Sequence, residues 1–216
     1  MAGGSGTARK IVRSSARTAK GAERALQIVE ISESLFYRQG YAQTSMDDIA
    51  RAAGLLKGSL YYYTDSKEDL LFRIVEEVHE VSRAQLDEAG TQEGHSALDR
   101  LLHFVRGQVE YLALNVKRVA VYHHEWHRLE GDRLKRVREA RHEYNEALMA
   151  LLQELQEEGS LSKDADLRIV ANMVLATICW PYTWYRPNEP SATELATSCA
   201  DFVRAGLSAG MPKRGA

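Results

Sequence analysis

The 216-residue chain has no apolar run near the roughly 20 residues that a membrane-crossing helix requires, which excludes a spanning segment. Its first residues, Met1 to Gly6, lack the apolar stretch of a secretory signal. Cysteine is scarce. Cys179 and Cys199 stand in apolar surroundings with neither metal-ligand nor redox spacing, the pattern of reduced thiols in a cytoplasmic protein. Alternating polar–apolar runs are missing too, and with them any sign of strands. No phosphate loop, no Ser/His/Asp or Cys/His set and no metal quartet occurs. A protein that is not an enzyme, with no cofactor and no metal, is therefore expected. A formal net charge of −2 argues against a uniformly basic nucleic-acid binder.

The charge is unevenly placed. Between Met1 and Arg24 stand Arg9, Lys10, Arg13, Arg17, Lys20 and Arg24 against Glu23 alone, a local excess of +5 that leaves the remainder at −7. A basic end on an acidic body suits a chain that meets DNA with one end. Residues 1–21 are rich in Gly, Ser, Ala, Thr and basic residues, with Ile11 and Val12 the only large aliphatics, and are expected as a disordered basic arm. Such an arm either lies along phosphates or the minor groove, or is only a tail.

From there the periodicity is helical nearly to the end, and the fold class is all-α. In residues 22–39, Ala25, Ile28, Val29, Ser32, Leu35 and Phe36 recur at the spacing of one helix face, with Gly40 as a stop. A short second helix is expected to begin at Thr44 as N-cap, with Asp47 three residues on and Met46, Ile49, Ala50 and Ala53 on one face. Gly54 supplies a turn position, residues 56–63 form a third helix, and Ser66 with Asp69 caps a fourth. Further helical patterns cover residues 67–89, 96–115, 119–129, 132–158, 165–185 and 192–208, giving nine or ten helices. Their breaks fall at Gly90, Gly94, Gly131 and Gly159 and around Pro187 and Pro190.

Two short helices joined by a glycine turn have the proportions of a helix-turn-helix. The outer side of the second carries Lys57, Ser59, Tyr61, Tyr62 and Tyr63, while Leu60 falls among them at a core position. Lysine reaches a phosphate or a guanine edge, and serine and tyrosine hydroxyls reach phosphates. Helix N-termini at Thr44 and Lys67 bring free N–H groups toward the backbone of a duplex. Three adjacent tyrosines are also what a half-buried aromatic cluster shows.

The run TSMDDIARAAGLLKGSLYYYTDSKEDLL resembles the N-terminal signature of TetR-family transcriptional regulators, over roughly residues 22–72. That resemblance implies a three-helix DNA-binding unit over residues 22–67 and a helical ligand-binding and dimerisation domain over residues 68–216. It also implies DNA contacts at Thr44, Lys57, Gly58, Ser59, Tyr61, Tyr62, Tyr63 and Lys67. Two positions depart from the family pattern. Leu56 stands where a small polar cap is usual, and Thr64 where an aromatic is usual. The implied function is a homodimeric, sequence-specific repressor on double-stranded, palindromic DNA, released by a small hydrophobic ligand. A helical sensing or scaffolding protein without a transcriptional role is the rival reading.

The last two helical stretches suit the dimer interface that TetR-like proteins build. One carries Ile169, Val170, Met173, Val174, Ala176, Ile178 and Trp180, the other Leu195, Ala196, Cys199, Phe202, Val203 and Ala205. An intramolecular core is the plain alternative. Candidate ligand contacts are Phe104, Tyr111, Tyr122, Trp126, Tyr144, Met149, Met173, Trp180 and Trp184, each of which also reads as ordinary core. In the run YHHEWHRL, His123 and His127 are four apart, and pocket lining or surface packing competes there with metal ligation. This run and the segment Trp184-Tyr185-Arg186-Pro187 resemble TetR-family regulators of fatty-acid and steroid breakdown, which implies a lipid or acyl-CoA ligand. No basic residue lies between Arg168 and Arg186 to clamp CoA phosphates, so a hydrophobic ligand is favoured.

Overall fold

The computed structural model describes residues 19–92, 94–187 and 189–208. Residues 1–18 of the expected arm lie outside them, and residues 19–21 are wound into the first helix instead. Among the described residues there are nine α-helices, two short 3-10 turns and no strand. No helix there is long and apolar enough to cross a membrane.

The head is built from α1 (Ala19–Gln39), α2 (Met46–Ala52), α3 (Lys57–Leu60) and the first half of α4 (Lys67–Thr91). The predicted stripe of α1 is the one that buries. Ile28, Val29, Leu35 and Phe36 are in the core, and buried Ser32 satisfies its hydroxyl by donating to the Ile28 carbonyl at 2.7 Å. Gly40 closes the helix at φ +82, its N–H donating to the Phe36 carbonyl.

The start of α2 differs from expectation by one residue. Ser45, not Thr44, is the N-cap, and it forms a capping box with Asp48 rather than with Asp47. Thr44 is only 1% exposed and donates its hydroxyl inward to the Gly40 carbonyl at 2.9 Å, so the next hydroxyl along takes the cap. At α4, Ser66 accepts from the Asp69 N–H as expected.

The body comprises the rest of α4, α5 (Ala97–Leu114), α6 (Val116–Glu125), α7 (Gly131–Glu157), α8 (Leu167–Cys179) and α9 (Ala192–Ser208), with α9 packed along α5. Two long helices expected from periodicity end early. The α6 helix yields to the 3-10 turn Trp126–Arg128, and α8 yields to Trp180–Thr183 at Pro181. Proline has no N–H to donate, and its ring collides with the carbonyl four residues back.

Head and body share α4. Its first half places Leu70, Leu71, Ile74 and Val75 in the head core, whereas Leu86 and Ala89 enter the body core. The head core is completed by Val121, Tyr122, Leu129 and Val137 from α6, α7 and the turn between them. A shift of α6 or α7 is therefore felt directly in the head.

Candidate functional site: a DNA-reading helix and a body cavity

The expected reading surface begins at Gly54, whose φ of +65 turns the chain between α2 and α3. The N-cap of α3 is Leu56, 80% exposed and without a side-chain cap bond, so the departure at this position is borne out as a missing cap. Leu60 is fully buried and anchors α3 in the head core, as its position implies. Around it Lys57, Gly58, Ser59, Tyr61 and Tyr62 are exposed, while Tyr63 is half-buried with its ring 5.0 Å edge-on to that of Tyr62. Winding continues beyond Leu60 through Tyr62 N–H to Ser59 O and Tyr63 N–H to Leu60 O bonds. This extends the turn over the expected residues 56–63. Buried Thr64 donates to Asp69 at 2.9 Å, replacing the usual aromatic by a hydrogen bond into the start of α4.

Three expected contacts are engaged within the protein. Lys57 pairs with exposed Asp47 at 2.9 Å. Thr44 is turned inward, so its hydroxyl does not belong to the outer surface. The Lys67 ammonium donates to the Tyr41 and Thr44 carbonyls, each at 2.8 Å, and lies 4.2 Å from the centre of the Tyr41 ring. Burial holds its pKa below the usual lysine range. Lys67 is thus a strut fastening α4 to the α1–α2 turn. Position along the chain gave no signal of this inward bonding.

A cavity of about 350 Å³ opens in the body among α4, α5, α6, α7 and α8. Of the nine expected ligand contacts, Tyr111, Tyr122 and Tyr144 line it. Phe104 is fully buried behind Tyr144, its ring centre 6.1 Å away, and Met149 packs into the same core. Trp126 sits beneath the Arg141 guanidinium at 4.7 Å, outside the lining. Met173, Trp180 and Trp184 are 47%, 64% and 50% exposed, which removes them from the cavity. The α8 helix spends its inner stripe on Val170, Val174 and Ile178, which turns Met173 and Trp180 away from the core.

Polar lining residues that composition did not single out are His79, Ser82, Gln108, Arg141, Asn145 and Asn172. The legible signal was Gln108, a polar residue four from Phe104 and four from Leu112 within an otherwise apolar stripe. It accepts from Ser82 at 3.1 Å and donates to Gln85 at 2.7 Å. Arg141 donates to the Tyr122 hydroxyl at 2.6 Å. His123 also faces the cavity and stacks on Tyr182 with ring centres 5.0 Å apart. Burial, with Arg141 adding to it, lowers both His79 and His123 to about 4. Burial pushes the Cys179 thiol up to about 11. His127 is exposed and packs edge-on to Trp126, away from the cavity. Among the described residues no three His, Cys, Asp or Glu side chains converge as a metal site.

Comparison with known proteins agrees with this geometry. A model for bacterial regulatory proteins of the tetR family matches residues 28–74, and one for the tetracyclin repressor-like C-terminal domain matches residues 94–207. The chain is 29% identical over 174 residues to the HTH-type transcriptional repressor KstR2 of Rhodococcus jostii, covering 76% of this chain and 80% of that protein. The structure of PfmR, a TetR-family regulator from Thermus thermophilus, superposes with a TM-score of 0.75 at 27% identity, covering 83% of this chain and 98% of that one. The ketosteroid transcriptional regulator KstR2 of Mycobacterium tuberculosis shares the fold with a TM-score of 0.79 at 24% identity, covering 85% and 94%. With over half its length matched by the C-terminal model and its head by the N-terminal one, the chain belongs to the TetR family of helix-turn-helix transcriptional regulators, DNA-binding proteins, not enzymes, that small hydrophobic ligands generally release.

Proposed function

We propose that this protein is a homodimeric repressor that binds a palindromic operator through α3 and leaves it when a small hydrophobic ligand fills the body cavity. The observation that carries the reading is Tyr122. It lines the cavity and belongs at the same time to the head core. A ligand that favours one placement of α4 and α6 over another thereby biases the head by the difference of its two affinities. Residues 22–67 act as the DNA-reading unit and residues 68–216 as the sensing and pairing unit.

A one-turn recognition helix offers few base contacts, and two copies at one helical turn of DNA, about 34–36 Å apart, supply the rest. The exposed apolar face formed by Ile169, Met173 and Trp180 on and after α8 and Phe202 on α9 supports two-fold pairing of the C-terminal helices. The relatives called KstR2, one of them described as a ketosteroid regulator, support a lipid-like effector. Selection of bound duplex from a random pool tests the reading: a palindromic site is expected, released on adding hydrophobic ligands. Recovery of unenriched sequence would leave the sensing or scaffolding alternative in its place.

A further inference from the structure

We propose that the body cavity takes the free anion of a medium-sized carboxylic acid, its apolar body among the helices and its carboxylate on Arg141, and not the coenzyme A thioester of such an acid. This deepens the effector reading above and rests on it.

The first argument is charge. Among the described residues no Asp or Glu lines the cavity, and Arg141 is the one lining side chain charged at neutral pH, since His79 and His123 stay neutral there. The second is that Arg141 is held but not neutralised. Its guanidinium sits 4.7 Å from the Trp126 ring and 5.9 Å from the Tyr122 ring, and it donates to the Tyr122 hydroxyl. No described carboxylate lies within 4.0 Å of it, although ten other described lysines and arginines are so paired. A planar fork held against one aromatic ring, with N–H groups left to donate, is the group that recognises a carboxylate through two parallel bonds.

Size and surroundings oppose the thioester. The cavity of about 350 Å³ holds roughly a dozen waters at ~30 Å³ each, room for an acid of similar heavy-atom count but not for a nucleotide-bearing tail. A neighbouring groove between α4 and α7 shares His79 with the cavity, and a tail leaving that way meets Glu76, Glu80 and Asp87. The arginines of that groove are already taken, Arg83 by Asp87 at 2.8 Å and Arg136 by Glu76. A net acidic groove repels phosphates. Finally, His79 Nε2 is buried at the cavity without a hydrogen-bond partner among the described residues, so a keto or hydroxyl oxygen on the acid is accommodated as well.

The test is calorimetric titration of the full-length protein at pH 7.5 with decanoate, 10-hydroxydecanoate, 6-phenylhexanoate, decanamide and decanoyl-coenzyme A. At least one acid is expected to bind tenfold or more tightly than decanamide and more tightly than the thioester. Arg141→Gln is expected to erase the preference for acid over amide, and Arg141→Lys to restore part of it. The inference is overturned if no acid binds, if amide or thioester binds as well as the acids, or if Arg141→Gln binds the acids like wild type. Should Arg141→Gln fail to fold, the wild-type comparison of acid, amide and thioester decides alone. Acid binding that leaves operator affinity unchanged would sustain this inference and overturn the effector reading. Operator release by neutral ligands alone would do the reverse.

Discussion

The Arg118 guanidinium on α6 donates to the Glu33 carboxylate on α1 across 2.7 Å, with the two side chains 14% and 13% exposed. A second carboxylate, Glu77 on α4, meets the same guanidinium, so one arginine joins α1 of the head, α6 of the body and the α4 that both share. Burial raises the Glu33 pKa despite Arg118, which means that attraction does not fully offset the desolvation of the carboxylate. Removing the arginine strands two acids, whereas removing Glu33 leaves Arg118 with Glu77. Arg118→Met is therefore expected to lower unfolding stability by about 2–4 kcal/mol and Glu33→Gln by less than ~1.5 kcal/mol. Denaturant unfolding of both variants checks this, and equal losses would contradict it.

On the reading surface, Tyr62→Ala and Lys57→Ala are expected to weaken operator binding by about 1–3 kcal/mol while leaving the melting temperature near that of wild type. Lys57→Ala should also reduce the salt dependence of binding by about one counterion. Lys67→Ala is expected to lose both affinity and thermal stability, because its ammonium holds the Tyr41 and Thr44 carbonyls. Binding isotherms at several salt concentrations, paired with melting curves, separate the two behaviours. Full operator affinity in Tyr62→Ala would place the reading surface elsewhere.

The outward apolar face makes a prediction about assembly. Phe202 is 69% exposed in one subunit, so Phe202→Glu costs little in folding there. Across a two-fold axis, however, it buries an unpaired charge. Sedimentation should show a shift from dimer toward monomer, together with loss of operator binding. A variant that stays dimeric at low micromolar concentration would remove this face from the interface.

The cavity histidines set an acid limit on stability. His79 and His123 fall to about 4 in the folded protein from an ordinary 6.5, so the unfolded chain takes up protons first as pH drops. Their contribution is intact above about pH 6.5 and is lost progressively down to pH 4, on the order of 3 kcal/mol for each. Melting temperatures between pH 7.5 and 4.5 should decline in wild type, and His79→Leu should decline less steeply. Parallel curves would show that His79 is not held neutral.

Much of the head could be read from neighbouring residues because its signals are local. The stripe from Ile28 to Phe36, the stop at Gly40, the turn at Gly54 and the Ser66–Asp69 cap each depend on contacts within about one helical turn. Spacing likewise put Leu60 inside and Tyr61 and Tyr62 outside. Other features depend on what lies across the fold. Thr44 and Ser45 are chemically alike, and only the Gly40 carbonyl waiting beneath Thr44 decides which of them caps α2. Met173 and Trp180 look as much like cavity walls as Ile178 does, because α8 is apolar around much of its circumference. The side that meets α5 and α7 settles the matter. Arg141, the group that gives the cavity its charge, stands in a helix crowded with charged residues. Its distinction comes from Tyr122 and Trp126, 19 and 15 positions away, which hold it without neutralising it. Chain composition and periodicity settle which face a helix can bury; long-range packing settles which polar groups that burial leaves for a ligand.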